Sequence, residues 1–143
     1  MIKIIVSMGE KYAAYFAEIR SGAKFGVWDI SKYGGGRLGG HLSHQRGVDF
    51  DLPFIGGRGN FDVQANSMAI AALMLSKPDF HHVPGQEMIL VDYSLHDALG
   101  KGLRRLASEG VISEDQARRA VGALIHWPKH NDHFHIRIQL AKS

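Results

Sequence analysis

Two segments of this chain alternate apolar and polar side chains with a period of two. Gly47 to Leu52 sets Val48, Phe50 and Leu52 against Asp49 and Asp51. His133 to Leu140 sets Phe134, Ile136, Ile138 and Leu140 against His133, His135, Arg137 and Gln139. Such alternation marks a strand with one face in a core. Residues two apart share a face, so Asp49 lies with Asp51, and His133 with His135. If the two strands pair, four side chains of ligand type converge above one sheet face. The plain alternative is two strands with polar outer faces. Those favour Lys, Glu and Thr, and rarely collect His and Asp so densely.

The flanking residues sharpen the pattern. His41-Leu42-Ser43-His44-Gln45-Arg46-Gly47-Val48-Asp49-Phe50-Asp51 and His130-Asn131-Asp132-His133-Phe134-His135 together hold five of the nine histidines. The chain has no cysteine, so disulfides and thiolate zinc sites are excluded. A metal must then rest on His, Asp or Glu, the nitrogen and oxygen donors that Zn2+ accepts. The two stretches are read as halves of one site holding one zinc ion per chain.

Taken together, the Ser43-His44-Gln45-Arg46-Gly47-Val48-Asp49-Phe50-Asp51 string and the His130-Asn131-Asp132-His133-Phe134-His135-Ile136-Arg137 string are similar to the penicillin-insensitive murein endopeptidases. That family belongs with the lysostaphin-type peptidases, the D-alanyl-D-alanine peptidases and the hedgehog domain. The resemblance spans roughly residues 34–51 and 89–138. It implies zinc held by His44, Asp51 and His135, with a fourth position open for catalysis. It implies His133 beside that position, as base or as a positive group on the transition state. His130 is similar to a second catalytic or substrate-orienting histidine, and His41 to a further active-site histidine. Asp49 matches an acidic position beside the ligand aspartate. There it either accepts the free N–H of a ligand histidine or is a simple edge charge. The substrate implied is the D-alanyl to meso-diaminopimelyl cross-link of peptidoglycan.

Length and composition bound the rest. A chain of 143 residues suits a single domain, residues 1–143. The order of elements predicts an α+β fold: a central, mostly antiparallel sheet carrying the zinc site and flanked by helices. Ile2 to Val6 reads as a strand or as the start of a helix running to Ile19. Lys24 to Ile30, Gly47 to Leu52, Glu87 to Tyr93 and His133 to Leu140 read as strands. Val63 to Leu75, Ser94 to about Ala107, and a segment capped by Ser113 and running to about Trp127 read as helices.

A net charge of +3 and a pI near 9.3 suit an anionic partner such as cell wall. No run of five Lys/Arg supports a nucleic-acid arm. The longest apolar run, Met68 to Leu75, is too short for a membrane span. The first eight residues do not read as a signal peptide. The expectation is a soluble chain acting in the periplasm or at the wall, released there by a phage-type route or after loss of an export leader. A compact phage lysis enzyme fits that form.

Other signals are weaker. Ser21-Gly22-Ala23-Lys24 matches the S-x-x-K of serine penicillin-binding enzymes without their other motifs. Gly34 to Gly39 contains G-x-G-x-x-G without the βαβ context a nucleotide site needs. Arg46 and Arg137 read equally as clamps on a substrate carboxylate or as solvated charges. His81 and His82 read as solvated loop residues before stray metal ligands or cleft-lining groups, His96 and His126 as structural, and Trp28 and Trp127 as core before substrate platform. Two rivals share the fold: a zinc D,D-carboxypeptidase or dipeptidase, and a silent zinc-containing wall-binding module. Retention of both His130 and His133 argues against the second.

Overall fold

The computed structural model describes residues 2–17, 29–30, 49–57, 59–128 and 132–139. In chain order the elements are α1 (Ile2–Ala17), β1 (Asp29–Ile30), β2 (Asp49–Pro53), α2 (Val63–Ser76), β3 (Met88–Val91), α3 (His96–Ser108), α4 (Glu114–Ala123), β4 (Leu124–His126) and β5 (His133–Arg137). A 3-10 turn, Tyr93–Leu95, leads into α3. This is the α+β class expected from the order of patterns.

Helix α2 is apolar on every side, and all its residues from Ala65 through Met74 are buried. A helix of that kind is a centre that others pack around, and α1, α3 and α4 all contact it. Asp62 caps its first turn by accepting the Ala65 N–H at 2.9 Å. Asn66, fully buried, accepts the Ile55 N–H and donates to the Ile55 carbonyl, both at 2.9 Å. Those bonds fasten the loop after β2 onto α2. In α1 the buried stripe is Met8, Tyr12 and Phe16, spaced four apart. That spacing decides between the two readings of the N-terminal segment, which is helical.

The sheet runs β1-β2-β5-β3-β4. Every neighbouring pair is antiparallel except β3 and β4. In the β2–β5 register Phe50 opposes Ile136 and Leu52 opposes Phe134. All four side chains are buried. Ile89 and Val91 of β3 join the same core cluster as α2. The other face of β2 and β5 carries the ionisable residues.

One expected helix is shorter than its pattern suggested. Ser113 and Gln116 form the expected capping box, with the Gln116 N–H on Ser113 Oγ and the Ser113 N–H on Gln116 Oε1. The helix stops at Ala123, however, and Leu124–His126 forms β4 in parallel register with β3. Leu124 and Ile125 fit either a helix or a strand locally; pairing with the open edge of β3 decides. Helix α3 also starts later than expected, at His96, because residues 93–95 form the 3-10 turn.

The chain after α2 is anchored by a buried ion pair. Lys77 Nζ lies 2.6 Å from Glu87 Oε1, with side chains 8% and 3% exposed. Removing one partner leaves the other charged and buried, which costs about 3–5 kcal/mol. Lys77→Met therefore lowers the melting temperature by roughly 10 °C. Lys77→Met with Glu87→Leu recovers most of the loss, because no uncompensated charge remains buried: Asp79, the other partner of Lys77 at 3.0 Å, is exposed. Thermal melts of the three proteins check this; a single variant that melts like the parent contradicts it. Among the described residues no helix is long and apolar enough to cross a membrane.

Candidate metal centre

The register of β2 against β5 sets three pairs side by side on the face away from the core: Asp49 with Arg137, Asp51 with His135, and Pro53 with His133. In the central pair, His135 Nδ1 lies 3.1 Å from Asp51 Oδ1. Both side chains are mostly covered, at 12% and 18% exposed. Two donors bound to one tetrahedral zinc at about 2.0–2.1 Å stand roughly 3.4 Å apart. An imidazole nitrogen and a carboxylate oxygen, already at nearly that spacing on rigid strands, fit the donor set of a zinc site.

Asp49 faces the other ring nitrogen. Its Oδ2 lies 3.7 Å from His135 Nε2, an ion-pair rather than a hydrogen-bonding distance. Both its oxygens take N–H groups from Arg137: Nε to Oδ1 at 2.7 Å and Nη2 to Oδ2 at 3.2 Å. Asp49 is fully buried. Burial raises its pKa, but His135 and Arg137 outweigh burial and hold the carboxyl below its ordinary value. Burial favours the neutral His135 ring, yet Asp49 and Asp51 overcome it and push the imidazole up to about 9. Two carboxylates thus flank the His135 ring, one of them held by a guanidinium.

The engagement of Arg137 corrects both sequence readings of this residue. It is neither a solvated charge nor poised for a substrate carboxylate. Its side chain is 22% exposed, and its third nitrogen, Nη1, donates to the Gly85 carbonyl at 2.9 Å.

His133 stands two register pairs along from His135, on the same face. Its Nδ1 lies 2.6 Å from Asp132 Oδ1. The Asp132 carbonyl accepts the Phe54 N–H at 3.0 Å, which fixes this carboxylate at the end of β2. The Asp132 carboxylate on Nδ1 orients the His133 ring. Sequence reading gave Asp132 no role. The available signal was a carboxylate immediately before the first histidine of an alternating segment.

His41, His44, Arg46 and His130 lie outside the described residues, as does Trp28. Among the described residues no three His, Cys, Asp or Glu side chains gather around one metal position. Asp51 and His135 are two of the three expected ligands, and His44 is the third. Elsewhere, the His81 ring bonds the Asp79 carbonyl at 2.9 Å and is exposed, while His82 is half-buried. His96 donates to the Val91 carbonyl at 3.0 Å. His126 lies in β4 rather than at a helix end, and accepts the Tyr93 N–H at 2.9 Å. Trp127 is 51% exposed and not a core residue, because the early end of α4 carries it past the edge of the packing. Two crevices of about 350 and 270 Å³ run along α3 and α4 and share Arg104 and Val121. Neither includes a residue of β2 or β5.

Comparison with known protein families finds no match for this chain, and no curated protein matches it.

Proposed function

We propose that this chain is a zinc peptidase of peptidoglycan that hydrolyses the D-alanyl to meso-diaminopimelyl amide of murein cross-links. The observation that carries the reading is the meeting of His135 and Asp51, 3.1 Å apart on neighbouring strands. The motif strings around them supply the substrate class by resemblance.

In this reading His44, Asp51 and His135 hold the ion. When bound, zinc supplies a Lewis acid that acidifies water and polarises the amide carbonyl. Asp49 cannot readily serve as a further ligand, since both its oxygens are engaged by Arg137. His133 holds a proton at Nε2, and Asp132 balances the charge of the resulting imidazolium. A histidine, His133 or His130, delivers a proton to the leaving amine. By resemblance His41 is a further active-site histidine, and Arg46 is read as a clamp on a substrate carboxylate. No side chain of the set forms an acyl intermediate, so β-lactams, which trap such serines, do not inhibit the reaction.

The test combines metal analysis with digestion of purified sacculi. The expected result is bound zinc and muropeptide cross-links split in two. A strong chelator abolishes the cleavage, and added zinc restores it. Release of free D-alanine with cross-links intact assigns a D,D-carboxypeptidase instead. Zinc binding without any release assigns a wall-binding module. A folded protein that takes up no zinc overturns the reading.

A further inference from the structure

We propose that Arg137 is a positioning residue for the metal centre: it clamps Asp49, and Asp49 in turn aims the His135 ring at Asp51. The inference rests on the zinc reading above and assigns a task to a side chain that does not itself meet metal or substrate.

The geometry forms a chain of contacts. Arg137 and Asp49 stand directly opposite each other in the register, next to the Asp51–His135 pair. The guanidinium grips both carboxylate oxygens, at 2.7 and 3.2 Å, and so fixes the plane of the Asp49 carboxylate. The oxygen held by Nη2 is the one nearest His135 Nε2, at 3.7 Å. A carboxylate facing one ring nitrogen favours a proton there and leaves the other nitrogen for a metal. That other nitrogen, Nδ1, is the one facing Asp51.

The clamp is itself anchored. Val83, Pro84, Gly85 and Gln86 form a turn closed by the Gln86 N–H on the Val83 carbonyl at 2.8 Å. Proline second and glycine third, with Gly85 at φ +73°, match a type II turn. The Gly85 carbonyl accepts Arg137 Nη1 at 2.9 Å. Behind the turn, Glu87 is tied to Lys77 at 2.6 Å. All three nitrogens of the guanidinium are thus used, which an ammonium cannot reproduce with one point charge. Asp49 is fully buried, and the fork supplies two of the N–H groups that orient its carboxylate.

The experiment compares the parent with Arg137→Lys, Asp49→Asn and the double variant. Zinc affinity is measured by competition with a chromophoric chelator. The visible spectrum of the cobalt-substituted protein reports ligand geometry, and thermal melts of the metal-free proteins report folding. Each single variant is expected to lose zinc affinity by roughly 10–100-fold and to shift the cobalt spectrum. The double variant is expected to lose little more, because both changes break one chain of contacts. Asp49→Asn keeps the side chain's shape, so it carries the test if Arg137→Lys does not fold. Variants that melt earlier but bind zinc and cobalt like the parent overturn the inference and leave the zinc reading standing. A parent that binds neither ion overturns both.

Discussion

His133→Ala keeps its zinc and loses its hydrolytic activity. The expected fall in turnover is about 10²–10⁴-fold, the usual contribution of a positioned proton-transfer group. Metal content holds because Nδ1 of His133 is engaged with Asp132 at 2.6 Å. His133 also pairs with Pro53, whereas the proposed ligand pair is Asp51 with His135. The fold holds because the core side of β5 is carried by Phe134 and Ile136, both buried. Initial rates on cross-linked muropeptides, with zinc per chain measured on the same samples, check both halves of the expectation. Wild-type turnover in the variant refutes the assigned role. Asp132→Asn gives a smaller loss, since it keeps the ring in place but cannot balance the imidazolium charge.

Asp51→Ala behaves in the opposite way: the chain folds, and zinc is lost. Asp51 lies on the outer face of β2, between buried Phe50 and Leu52. Truncating it leaves no cavity among the apolar side chains. It does remove one of the three proposed protein donors, and with it the carboxylate 3.1 Å from His135 Nδ1. Metal analysis after dialysis is expected to show a large deficit against the parent, with an unchanged circular dichroism spectrum. Activity falls with the metal, and excess zinc restores it partly at most. A variant that retains the parent's zinc content removes Asp51 from the ligand set.

These two substitutions separate what alternation reveals from what it hides. The period of two in Asp49–Asp51 and in His133–His135 is local, so it survives reading one segment at a time. The partner of each strand is not local. The antiparallel register that puts Asp51 against His135, rather than one pair further along, follows from packing Phe50 and Leu52 against Ile136 and Phe134. A slip by one residue would turn every apolar side chain outward. The same limit explains the misreadings. Leu124 and Ile125 read as the end of a helix because nothing nearby announces the open edge of β3. Trp127 read as core because its size favours burial, while its position past β4 leaves it half-exposed.

The sequence by itself determined the two strand patterns, the buried character of α2, the cap at Ser113 and the absence of any thiolate ligand. Each depends on residue type and short spacing. Only the tertiary structure decided that Arg137 serves Asp49, that Asp132 serves His133, and that Lys77 and Glu87 share a buried pair. Those partnerships depend on which charges are removed from water together, and desolvation is a property of the packed molecule rather than of any one segment.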